Sequence, residues 1–102
     1  MISEELLTRA DQMARLLGAL GNTKRFLIMC HLVNGELSVG AIAEKVELSQ
    51  SALSQHLAKL RGLDLVATRR ERQTIYYSCK SENVRLLLST LDNNEQTHPA
   101  EA

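Results

Sequence analysis

Apolar residues recur every three or four positions through most of this chain, and every second position in one short region near its C-terminal end. The clearest helical unit lies within Leu48–Val66, where Leu53, Leu57 and Leu60 form one stripe. Ser49 suits its N-cap and Gly62 its C-terminal stop. Upstream, Ser3–Leu20 reads as one helix with Leu6, Ala10, Met13, Leu17 and Leu20 in a stripe, widened by Leu7, Ala14 and Leu16. That is more apolar surface than covering one side of a small domain requires, so part of it is expected to meet a second subunit.

Gly21-Asn22 breaks the pattern, with Asn22 as a cap. The next helix runs from Thr23 to Val33, apolar nearly all round after Arg25, and is the expected central buried element. Glu36-Leu37 reads as a short connection, and Ser38 caps a helix Val39–Val46 that turns Ile42, Ala43 and Val46 inward. With Glu47-Leu48-Ser49 as a tight turn, this helix and the one after it make a helix-turn-helix, although Glu47 stands where Gly is commoner.

After Gly62 the period changes to two. Val66–Arg70 and Thr74–Cys79 read as strands joined at Glu71-Arg72-Gln73, with Ile75, Tyr77 and Cys79 facing inward. Ser81 caps a last helix that ends near Leu91, with Val84, Leu87, Leu88 and Leu91 as its stripe. The expected fold is mostly α with a small β-hairpin: a winged helix-turn-helix in the order α-α-α-α-β-β-α, dimeric through its first and last helices. Residues 1–91 form the domain, and residues 92–102 are expected to be a disordered tail.

Composition adds less than distribution does. The 102 residues carry zero formal net charge. Between Leu48 and Lys80, however, six positive side chains face two negative ones, so that segment carries +4 and the rest −4. A basic half suits a protein that shows one face to phosphate. No apolar run is long enough to span a membrane, and the acidic N-terminal stretch MISEELLTRADQ does not read as a secretory signal, so the expected location is cytoplasmic. The absence of Trp argues against a stacking platform for single strands.

The polar face of the Leu48–Val66 helix carries short or amide-bearing groups where a merely soluble helix usually has Glu and Lys. Gln50, Ser51, Ser54 and Gln55 are the groups that read base edges in a major groove, and His56 and Lys59 are candidates for backbone phosphate. Arg69, Arg70, Arg72 and Gln73 cluster at the hairpin tip, with Arg70, Arg72 and Gln73 as the candidate wing contacts. The plainer alternatives are an ordinary amphipathic helix and a solvated charged hairpin. Lys24 and Arg25 occupy a first helical turn, where the dipole disfavours cations; a nearby phosphate or simple solvent exposure would account for them. Cys30 and Cys79 form no CxxC or Cys/His cluster, so no structural zinc site is expected; no cofactor is expected either, and the sequence identifies no small-molecule ligand. Neither a Gly-rich phosphate loop nor a nucleophile with a base beside it is present to suggest an enzyme.

Several segments, in order, resemble the ArsR/SmtB family of winged-helix repressors: Gly21-Asn22-Thr23-Lys24-Arg25, Glu36-Leu37-Ser38-Val39-Gly40, Leu48–Leu60, and Arg69-Arg70 followed by Gln73-Thr74-Ile75-Tyr76-Tyr77. The resemblance covers Ala14 to Leu91, and within the family LSQSALSQHL and TRR…QTIYY are similar to the NolR-like and HlyU-like groups. It implies a homodimer that binds an imperfect inverted repeat in double-stranded DNA, with recognition helices in successive major grooves. The family's paired metal-binding thiolates correspond here to Ser38 and Gly40, and the last helix has no His and only Glu82 as a carboxylate, which implies no metal sensing. Cys30 matches a cysteine of thiol-responsive relatives, whereas Cys79 does not match their second one. A Cys30–Cys79 redox or persulfide switch and two small packed side chains both remain readings. A protein-interaction module on the same scaffold is the alternative of another class.

Overall fold

The computed structural model describes residues 1–97. Its elements are α1 (Glu4–Thr8), α2 (Ala10–Leu20), α3 (Thr23–Leu32), β1 (Leu37–Ser38), α4 (Val39–Val46), α5 (Gln50–Gly62), β2 (Val66–Glu71), β3 (Thr74–Cys79) and α6 (Glu82–Thr97). Side-chain oxygens begin the helices as expected. Asn22, Ser38, Ser49 and Ser81 accept from the backbone N–H three residues on, at 3.1–3.2 Å. Each satisfies one of the donors that a helix start leaves unpaired.

The ends of α4 and α5 are built alike. At each, one non-glycine residue adopts the left-handed conformation: Glu47 at φ 55° and Asp64 at φ 64°. The next amide then reaches back to the helix: Leu48 N–H donates to Ala43 O and Leu65 N–H to Leu60 O, both at 3.0 Å. These are Schellman closures, in which an apolar residue just past the left-handed position folds back onto the last turn. Glu47 therefore does the work that Gly does elsewhere. Gly62, the expected stop of α5, is still helical, and the turn falls two residues later at Asp64, whose short polar side chain tolerates that backbone.

Four other features depart from the sequence reading. The first helix is interrupted at Arg9, whose N–H is shared between Glu5 O and Leu6 O. Thr8 Oγ1 also donates back to Glu4 O, a bond that bends helices. Leu37–Ser38 is a strand rather than a connection. It pairs antiparallel with β3, so the sheet has three strands in the order β1-β3-β2. A two-residue strand is too short for periodicity to reveal. The last helix continues to Thr97, since residues 92–97 include no Gly or Pro to stop it. The expectation of a disordered tail therefore fails for 92–97, and for 98–102 it lies outside the described residues. Finally, Leu6, Leu17 and Leu91, placed in the apolar stripes, are exposed.

The core joins every layer. Ile28, Met29 and Leu32 of α3 are fully buried, and α3 touches α2, α4, α5 and β3, as its all-round apolar pattern predicts. Leu53, Leu57 and Leu60 seat α5, while Ile42, Ala43 and Val46 seat α4. Leu16, Ala19 and Leu20 of α2, Val84 and Leu88 of α6, and Leu65, Val66, Tyr77 and Cys79 from the sheet and the turn before it complete the core. The large exposed apolar side chains include Met1 and Ile2 before α1, Leu6, Leu7 and Leu17 on the first two helices, Leu27 on α3, and Leu86 and Leu91 on the last helix. No helix among the described residues is long and apolar enough to cross a membrane.

Candidate nucleic-acid interface

With Leu53, Leu57 and Leu60 turned into the core, the helical period directs Gln50, Ser51, Ser54, Gln55 and Lys59 to the surface, and all five are exposed. Ser51 Oγ lies 3.4 Å from Ser49 Oγ at the capped start of the helix. Gln50 and Ser54 form one wall of an open cleft of about 560 Å3. The other walls are the beginning of α4, at Ser38, Val39 and Gly40, and the wing, at Gln73, Thr74 and Ile75. Gln50 and Ser54 of the helix and the sequence-distant Gln73 of the wing thus share one concavity. Ser51, Gln55, Lys59, Arg70 and Arg72 do not line it and lie on exposed surface around the molecule.

His56 sits differently from its neighbours. It is half-buried, and Arg25 Nη1 lies 3.4 Å from its Nδ1. Burial lowers its pKa, and the charges of Arg25 and Lys24 lower it further, so the neutral ring is favoured.

Lys24 and Arg25 are committed within the molecule. Lys24 Nζ donates to Val46 O at the C-terminal end of α4. Arg25 Nε donates to Ala19 O, near the end of α2, at 2.7 Å. Cations that sit unfavourably on the dipole of α3 therefore sit favourably on the dipoles of two other helices. Neither a phosphate nor free solvent is needed to explain them.

The wing turns over two residues, Arg72 and Gln73, between the Glu71↔Thr74 pair. Arg72 has φ 60°, a conformation that Gly usually supplies at such turns. In register, Arg70 pairs with Ile75 and Thr68 with Tyr77, which puts Arg70 on the face of the sheet turned toward α5. Arg69 points to the opposite face and is not at the tip's disposal. Its Nε and Nη2 grip both carboxylate oxygens of Glu36, at 2.9 and 2.7 Å, and Nη1 donates to Glu71 at 2.9 Å. Its guanidinium lies 4.6 Å over the Tyr76 ring. The Arg69 hydrogen bonds hold the Glu36 carboxyl below its ordinary range. Among the described residues, Lys59, Arg70 and Arg72 form no ion pair.

The two cysteines are both free thiols. Cys30 lines a cleft of about 490 Å3 with Val33, Arg85, Leu88 and Asp92. Burial, and then the Asp92 carboxylate, push its thiol pKa up. Cys79 is buried on β3 and donates from Sγ to Ser81 O at 3.5 Å. Among the described residues no group of three or more His, Cys, Asp or Glu side chains is gathered as a metal ion requires. His98 lies outside them.

Sequence reasoning missed the Glu36–Arg69 pair and the inward roles of Lys24 and Arg25. Each joins residues six to thirty-three positions apart, and no periodicity or capping signal links them.

Residues 22–68 match the model of the bacterial regulatory proteins of the arsR family. The nodulation protein NolR of Rhizobium meliloti is 55% identical over 84 residues, which cover 82% of this chain and 69% of the relative. The transcriptional activator HlyU of Vibrio cholerae is 44% identical over 88 residues, covering 86% and 82%. The solution structure of a homodimeric winged helix-turn-helix DNA-binding domain from Mycobacterium bovis, described as a possible ArsR-family transcriptional regulator, is 30% identical. It superposes with a TM-score of 0.79 and covers 100% of this chain and 94% of that one.

Proposed function

The chain belongs to the ArsR family of bacterial transcriptional regulators, which are not enzymes, and on that premise we propose that it is a homodimeric repressor reading an inverted-repeat operator in double-stranded DNA. The observation that carries the reading is the amide and hydroxyl face of α5, exposed and beside a basic wing. In this reading Gln50, Ser51, Ser54 and Gln55 address base edges. A Gln amide pairs with adenine N6 and N7, and Ser hydroxyls are permissive. Lys59, Arg70 and Arg72 hold phosphates, Gln73 contacts the backbone from the wing, and the neutral His56 donates from Nε2 while Nδ1 accepts from Arg25.

Residues 1–91 are the DNA-binding and dimerisation domain. The exposed leucines of α1, α2 and α6 meet those of the second copy, and two-fold symmetry sets the recognition helices about 34 Å apart along the duplex. The protein acts in the cytoplasm and does not sense a metal. The raised Cys30 thiol and the enclosed Cys79 favour packing over a thiol switch.

Selection from a randomised duplex pool, followed by sequencing, tests this. An inverted repeat should be enriched. Arg72→Ala should then weaken binding to all sequences and reduce the slope of log affinity against log salt by about 1. Gln50→Ala should relax the preference at particular base pairs. Enrichment of no motif would replace the repressor by a protein-interaction module, and unchanged base preference in Gln50→Ala would refute the assigned reading face.

A further inference from the structure

The outer face of the sheet carries a strap that a DNA reader does not need for phosphate. Glu36 immediately precedes β1, and Ser38, the last residue of β1, is the N-cap of α4. β1 is joined to the sheet by only two residue pairs, Leu37↔Tyr77 and Ser38↔Tyr76. Arg69, two strands away, crosses β3 over the ring of Tyr76 and takes both oxygens of the Glu36 carboxylate. Its remaining nitrogen is held by Glu71, at the base of the wing turn. All three guanidinium nitrogens are thus engaged, and the two carboxylates exceed the charge of the arginine. Three of its five N–H donors are spent on carboxylates that together outweigh its charge, which disfavours a phosphate contact there, and a bidentate fork fixes orientation in a way that a single contact does not.

We propose that Glu36 and Arg69 are positioning residues for the wing: the strap ties β2 to the start of the helix-turn-helix and so sets where Arg70 and Arg72 are presented, while Arg69 itself neutralises no phosphate. The inference rests on the DNA-binding reading for its consequence, but the strap is testable without DNA. The sign of one substitution separates pose from charge. Glu36→Gln removes a negative charge beside the basic wing. If charge alone mattered, DNA binding would tighten; if the wing's pose matters, it weakens.

The experiment measures affinity against salt for the duplex recovered by selection, together with amide hydrogen exchange of residues 70–74 in the free protein. A thermal melt of each variant checks that it is folded. Glu36→Gln should speed exchange in the wing and weaken binding about fivefold with an unchanged salt slope. Arg69→Gln should do the same. Unchanged wing exchange in Glu36→Gln overturns the inference whether or not any duplex is bound. So does tighter binding by that variant, or a salt slope lowered by about 1 in Arg69→Gln, which would make Arg69 a phosphate contact. If no duplex is selected, the repressor reading falls, and the exchange data alone still decide whether the strap holds the wing.

Discussion

Replacing Lys24 by methionine separates two roles that the sequence leaves equally open. The ammonium group donates to Val46 O, one of the carbonyls that α4 leaves unpaired at its end, and the side chain is half-buried. Methionine keeps the apolar stem and loses the donor. A hydrogen bond to a charged group contributes about 1.5 kcal/mol at the lower end of its range, suited to a half-buried site. The cation at the C-terminal end of α4 adds about 0.5 kcal/mol. Relief at the first turn of α3, where the same charge is unfavourable, returns about 0.5 kcal/mol. The net loss is about 1.5 kcal/mol, a fall in melting temperature of about 6–12 °C for a domain of this size. It should be measured by thermal and urea denaturation at a fixed protomer concentration, because dimerisation makes stability concentration-dependent. The salt slope of DNA binding should stay unchanged. A melting temperature within about 2 °C of the parent, together with a slope lowered by about 1, would refute the reasoning and make Lys24 a phosphate contact.

Glu47→Gly should stabilise the protein by about 0.5 kcal/mol in urea unfolding. It removes the cost of a side chain at φ 55°, partly offset by the greater freedom of glycine in the unfolded chain; a destabilised variant would mean that the turn carries no strain. The His56 pKa lies below its ordinary 6.5 in the folded protein, so the unfolded chain binds the proton more readily. That contribution to stability is full above pH 6.5 and declines as the pH falls through the lower folded value. His56→Gln should flatten this acid arm in a series of urea titrations, and an unaltered arm would show that the ring is free of Arg25. Leu17→Glu, at a side chain 55% exposed, should leave the fold intact and give a monomer in sedimentation; a persistent dimer would move the interface elsewhere.

Much of this architecture was legible locally. The stripe Leu53-Leu57-Leu60, the caps Asn22, Ser38, Ser49 and Ser81, and the change of period at Val66 each depend on residues within a turn or two of one another. Those short-range rules also determine the exposed Gln and Ser side chains of α5, because once three leucines are buried the 3.6-residue period fixes what faces out. The surplus apolar surface on the first and last helices was visible as a quantity. Which leucines carried it was not: the stripe of Ser3–Leu20 was wide enough to be turned either way, and the packing of α2 on α3 selected Leu16, Ala19 and Leu20 over Leu17.

The amino-acid sequence by itself determined the order of the helix-turn-helix, wing and last helix, the capped helix starts at Asn22, Ser38, Ser49 and Ser81, the buried face of α5 and the family. It did so because hydrophobic period and capping act over a few residues. Only the tertiary structure decided what the charged side chains do. Arg69, Arg70 and Arg72 look alike in sequence, yet the pleat and the register of β2 on β3 send Arg69 to Glu36 and Arg70 to the opposite face. Lys24 and Arg25 sit badly on their own helix and well on the ends of two others. A charge responds to every dipole and partner within several ångströms, whichever part of the chain supplies them, so its role is set by the assembled fold.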